Sequence, residues 1–190
     1  MCVPEQPDAY VVGVPAFLLI SERMGAVALT NAQLIVLRDD IAADPAFAGL
    51  PHNSDGAWAV AAAYNLQAVP NFYVWKDSVE TNVIMGNGFD WTRIDNLTVG
   101  KSRIWDFMTR LGVLNPSQAN VRAGILATFG TAADLAMRLA IFGHCQRLAT
   151  RIQKLFSTGA GTAVTEQGIG PATAAVDSIS YQDVLEAWRL

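Results

Sequence analysis

"TAADLAMRLAIFGHCQRLATRIQKLFS", residues 131–157, decides how the rest of the chain is read. At about 100° per residue, Leu135, Leu139, Phe142, Cys145, Ala149, Ile152 and Phe156 gather on one broad side. His144, Arg147, Arg151 and Lys154 gather on the opposite side. That segregation predicts one long helix over 131–157, opened by Thr131 with Asp134 at its third position. Arg138 falls in line with the apolar stripe, and Asp134, four residues earlier, is its expected partner.

Beyond this helix the chain turns to "STGAGTAVTEQGIGPATAAVDSIS" (157–180), dense in Gly, Thr, Ala and Val. The composition predicts an extended arm or a small β-hairpin turning at "QGIG", over about 158–179. Gly159, Gly161, Gly168 and Gly170 are its candidate hinge and assembly positions, with Gly159 ending the helix as a left-handed C′ residue. A phosphate-binding loop is excluded by order. Such a loop enters a helix N-terminus, where free N–H groups meet the anion, whereas "KLFSTGAGT" (154–162) leaves a helix and carries its lysine before the glycines.

Upstream, helix starts and stops alternate. Thr30 and Gln33 form a capping box before Leu34, Leu37 and Ile41, and Pro45 closes the segment. Ser54 or Asp55 caps a second helix over 53–66, with Trp58, Ala61, Ala62 and Tyr64 as contacts. "DSVETNVI" (77–84) reads as a third, and Gly86, Asn87 and Gly88 as a turn. Thr98 caps a helix ending at Gly112, in which Ile104, Trp105, Met108 and Leu111 share one face. Asn115 and Pro116 restart the chain toward Val121, Ile125 and Phe129. Ser180 caps a terminal helix anchored by Val184, Leu185 and Trp188. The expected fold is therefore mainly α: a helical bundle around one long central helix, with a small β-hairpin or extended arm near the C-terminus. Residues 29–190 form a single domain. Residues 1–28 are expected to be an N-terminal arm, disordered or contributed by a start upstream of Met24.

The 190 residues are 52% hydrophobic and 16% charged, an apolar excess that suits a chain covering part of its surface with a partner. A net charge of -4 gives no general pull toward nucleic acid or anionic membranes. "YVVGVPAFLLI" (10–20) is about half a membrane span, is interrupted by Pro15 and follows Glu5 and Asp8, so neither signal peptide nor anchor is expected. Cys2 and Cys145 have no metal-ligand spacing, and no metal or cofactor is expected.

No catalytic constellation is legible. His144 and Cys145 are adjacent, so a helix points them apart, and Cys145 lies in the apolar stripe. His52 in "LPHNSDG" has no nucleophile placed with it and reads as a capping or solvent residue. "NLT" (96–98) fits a glycosylation pattern, but Thr98 is better used as a helix cap. The basic stripe His144, Arg147, Arg151 and Lys154 is either a solvated face near a helix C-terminus or a contact for an acidic protein surface or a nucleic-acid backbone.

Five segments, "FYVWK" (72–76), "DWTRIDNLTVGKSRIW" (90–105), "NPSQANVRAGI" (115–125), "RLATRIQKLFSTGAGT" (147–162) and "ISYQDVLEA" (179–187), together resemble a family of small proteins encoded among the structural genes of tailed bacteriophages and prophages. The resemblance spans roughly residues 29–190. It implies a virion protein made in the bacterial host cytoplasm, similar to head-to-tail adaptors of the neck. Such a protein has no enzymatic role, forms a ring-shaped homo-oligomer such as a dodecamer, and meets the portal and other neck or tail proteins. Another capsid- or tail-associated role is the nearest alternative. A DNA-associated packaging accessory, making non-specific DNA contact through the basic face of helix 131–157, is the next.

Overall fold

The computed structural model describes residues 28–190; the expected arm lies, but for residue 28, outside the described residues. The fold is mainly α, and it is organised as two helical lobes joined by a narrow β seam.

The first lobe is built by α1 (Asn31–Ala43), α2 (Ser54–Tyr64) and the terminal helix that returns beside them. The Thr30–Gln33 capping box forms as read, satisfying the first free N–H groups of α1, and Leu34, Leu37 and Ile41 are buried. Asn53, one residue earlier than expected, caps α2. The buried face of α2 is Ala57, Val60, Ala61 and Tyr64, while Trp58 stays 59% exposed and stacks on Tyr181.

After a cis Val69–Pro70 bond comes β1 (Tyr73–Trp75), then β2 (Val79–Glu80) and α3 (Thr81–Ile84), where one helix over 77–84 was expected. Pairing explains the difference: Val79 and Glu80 sit opposite Leu114 and Val113 of β3 (Val113–Leu114). Between them lie α4 (Thr92–Asp95) and α5 (Val99–Arg110), the latter capped by Thr98 and released at Gly112 with φ +72°. Asn115 closes a turn at Ser117 instead of opening the next helix, and α6 (Ala119–Thr128) follows Gln118 at the cap position. These elements build the second core around Trp105, Ile125, Phe129, Ile141 and Phe142.

The long central helix is not formed. α7 spans Leu135–Cys145; Gln146–Leu148 is a strand, β4; α8 spans Arg151–Leu155. Two physical causes act together. Tyr73, Val74 and Trp75 offer a β-branched and aromatic edge, and β4 pairs with it antiparallel, Val74 opposite Arg147. Thr150 and Gln153 form a capping box, so a helix start lies inside the predicted helix. The carbonyls at the end of α7 are taken by Lys76, whose backbone N–H donates to Cys145 at 2.9 Å and whose ammonium donates to the His144 carbonyl at 2.8 Å. Arg138 does not pair with Asp134 either. It is buried and donates to the carbonyls of Phe129, Thr131 and Glu166, while Asp134 accepts from Thr131.

The segment expected as an arm folds back. β5 (Ser157–Thr158) and β6 (Thr173–Ala174) pair antiparallel at the two ends of the segment, where an arm or a hairpin turning at "QGIG" was expected. The loop between them lies on β1: Tyr73 donates to the Gly161 carbonyl at 2.8 Å, and Ala172 and Trp75 continue the ladder. Val176 and Ile179 then enter the first core, and α9 (Tyr181–Arg189) follows its Ser180–Asp183 capping box.

Candidate functional site

Breaking the helix scatters the basic stripe, because each break changes the direction in which side chains leave the backbone. His144 Nε2 lies 3.1 Å from the Asn87 carbonyl at the end of α7. Arg147, on β4, donates to Gln153 Oε1 at 2.6 Å and pairs with Asp177 at 3.5 Å. Lys154 is exposed, with its ammonium 6.0 Å from the centre of the Phe72 ring. Arg151 turns inward to the first lobe.

The surroundings of Arg151 form a clamp between α8 and the C-terminal end of α1. Its guanidinium bonds the carboxylates of Asp40 and Asp44, reaching Asp40 at 2.9 Å, and lies 3.1 Å from the Tyr64 hydroxyl. The same guanidinium stacks over Tyr64, 4.2 Å from the ring centre, and Phe47, 5.2 Å away. Tyr64 Oη donates to Asp40. Burial, then the Asp40 hydrogen bond, holds the Tyr64 hydroxyl above its usual range, so it stays protonated. The Ala46 N–H and then Arg151 hold Asp44 below the usual carboxylate range. Burial opposes the charge on Arg151, but Asp40 and Asp44 outweigh it and raise its pKa. Beside the clamp is a cleft of about 480 Å³ whose wall includes Leu66, Gln67, Val69 and Lys154. With its guanidinium bonded to Asp40, Asp44 and Tyr64, the clamp fastens α8 to α1 and α2.

The glycines named for assembly serve the body of the protein. Gly161, with φ +67°, presses on Phe72, and Gly168, also at +67°, sits against the Phe142 ring. Gly159 is not a helix cap: it follows β5, with φ +129°, against Ala172. Gly170 approaches the Ala163 carbonyl.

The surface that stands out divides residues that the sequence placed on one face. On α5, Trp105 is buried between Phe89 and Phe129, with ring centres 5.8 and 4.9 Å away. Ile104 and Leu111, expected beside it, point outward at 41% and 74% exposure, and Phe107 is 78% exposed. The signal was present: residues 104, 107 and 111 make one stripe and Trp105 belongs to another. Alongside, α6 approaches closely at Gly124, where a Cβ would stand 2.9 Å from the Met108 sulfur. The two helices leave an apolar groove of about 510 Å³, floored by Met108, Leu114 and Val121.

His52 lies flat on the Trp188 ring, centres 4.4 Å apart. Among the described residues no group of three His, Cys, Asp or Glu side chains is arranged to hold a metal ion, and no single helix is long and apolar enough to cross a membrane. Cys145 is fully buried, and burial pushes its thiol up to about 12. In a Cys2→Ser background, native Cys145 is expected to react with a chromogenic disulfide reagent at least about 100-fold slower than in denaturant, since the thiolate is the nucleophile. Comparable rates in the two states would refute its burial. No protein-family profile, curated protein or solved structure matches the chain.

Proposed function

We propose that the chain is a non-enzymatic structural component of a tailed-phage virion, a head-to-tail connector that docks on the portal ring. The motifs at 72–76, 90–105, 115–125, 147–162 and 179–187 support the virion assignment by resemblance. The observation that carries the assembly role is the outward apolar face of α5, Ile104, Phe107 and Leu111, beside a groove of about 510 Å³. A contiguous apolar surface of this kind is costly in water and is relieved by burial against a partner. In this reading copies form a ring and present the face to the portal or to a neighbouring neck or tail protein. A DNA-packaging role is less well supported, because Arg147 and Arg151 spend their charge on Asp177, Asp40 and Asp44.

The experiment is direct. Purified virions are expected to contain the chain by mass spectrometry, and a tagged copy is expected to place added density at the neck in electron micrographs. A label on capsid faces or along the tail would replace the connector with another virion role. Absence from virions would remove the structural reading altogether.

A further inference from the structure

The exposed face of α5 has the spacing of a helix-pairing seam. Gly100, Ile104, Phe107 and Leu111 follow one another at four, three and four residues, the a/d rhythm by which two helices pack along their length. Nothing lies within 4 Å of a Cβ built on Gly100, so the seam is open at its N-terminal end. It is open over the groove toward α6 as well, where incoming side chains have room.

Charge selects the occupant. The positions flanking the seam are Arg103 and Arg110 on one side, Lys101 and Met108 on the other. Only Arg110 has a carboxylate nearby, Asp106 at 3.8 Å in a solvated pair; Lys101 and Arg103 have none among the described residues. Flanking charges of one sign on such a seam set which helix pairs with it. A second copy of α5 is a poor match. Antiparallel pairing sets Arg103 against Arg110 of the other copy, and parallel pairing brings neither arginine a carboxylate.

We infer that the α5 seam receives an amphipathic α-helix of a partner protein, apolar along its own seam and acidic on its flanks. This rests on the reading of the α5 face as an assembly surface and names the chemistry that surface takes. Phe107 and Leu111 anchor the contact in the groove, and Lys101, Arg103 and Arg110 bond the acidic flanks.

Two stapled monomeric three-heptad helices serve as probes, both with Leu and Ile along the seam, one with Glu and one with Lys on the flanks. Titrated with the full chain and followed by fluorescence anisotropy at low salt, the Glu probe is expected to bind at least about 10-fold tighter than the Lys probe. Phe107→Glu is expected to weaken the Glu probe at least about 10-fold, and Arg103→Glu with Arg110→Glu to reverse the preference. These side chains are exposed, so both variants are expected to melt within about 2 °C of the parent, which separates lost docking from lost fold. Equal affinity for the two probes, or a Phe107→Glu variant that binds as the parent does, overturns the inference. So does a dimer of the parent chain that Phe107→Glu dissolves in sedimentation, since a second copy would then own the face. A chain that sits in the virion neck yet ignores the Glu probe sinks this inference and leaves the connector reading standing.

Discussion

Gly161→Ala is expected to destabilise the protein by about 3 kcal/mol. Two costs add. The residue has φ +67°, a left-handed conformation that costs an alanine about 1 kcal/mol more than glycine. The new Cβ would also stand 1.9 Å from the Phe72 ring, and moving that ring costs about 2 kcal/mol in a packed seam. The ring cannot leave freely, because the Phe72 carbonyl accepts from Ala149 at 2.8 Å and the next residue, Tyr73, donates to Gly161 itself. Gly112→Ala is the control. Its φ of +72° is nearly the same and nothing lies within 4 Å, so it should lose only the conformational part, about 1 kcal/mol. Thermal melts read the contrast, roughly 8 °C against 3 °C. If the two variants melt together, the Phe72 contact is not what fixes Gly161. Adding Phe72→Leu to Gly161→Ala should recover part of the loss, a coupling that a double-mutant cycle isolates.

That contrast shows why the glycine-rich segment was only half legible. Composition announces that 158–179 needs unusual backbone angles, and the positive φ values at Gly159, Gly161, Gly168 and Gly170 agree. It does not say whether those angles free the chain or fold it tightly against itself. The decision belongs to Phe72, Phe142 and Ala172, partners distant in sequence.

The same distinction runs through the rest of the fold. Thr30, Thr98, Thr131 and Ser180 were readable because a cap is a contract among residues three apart. The break after Cys145 was not, since β4 exists only where β1, more than seventy residues earlier, supplies an edge. Thr150 and Gln153 were the local warning, outweighed by an apolar period that runs unbroken through the strand. The α5 face was missed for a related reason. Helical period groups residues into stripes, but which stripe is buried depends on what packs against it. Trp105 turns inward to Phe89 and Phe129, and Ile104, Phe107 and Leu111 are left outside.

Arg151→Met is expected to cost about 2 kcal/mol at neutral pH, although methionine keeps most of the stem that packs on Phe47 and Tyr64. Removing one member of a paired cluster leaves the others uncompensated: Asp40 and Asp44 would face one another's charge with only Tyr64 and the Ala46 N–H as donors. The Arg151 side chain is 31% exposed, so the loss is set below the 3–5 kcal/mol typical of fully buried pairs. Arg151→Lys should recover little, because an ammonium cannot bond two carboxylates in a planar fork while stacking on a ring.

The effect has a pH signature. The Asp44 pKa is lowered in the folded protein, so its contribution is present above the unfolded value of 3.8 and is lost as pH falls through the folded value. The Tyr64 pKa is raised, so its contribution is intact below 10.0 and is lost only as pH rises through the higher folded value. Between pH 5 and 9 the gap between parent and Arg151→Met should therefore stay flat, and below about pH 4 it should narrow as Asp44 takes up its proton. Urea melts at pH 7 and pH 3 measure both ends. A gap that survives unchanged at pH 3 would assign the role of Arg151 to the stacking of its guanidinium on Phe47 and Tyr64. A gap that narrows makes the ion cluster the fastening between α8 and α1.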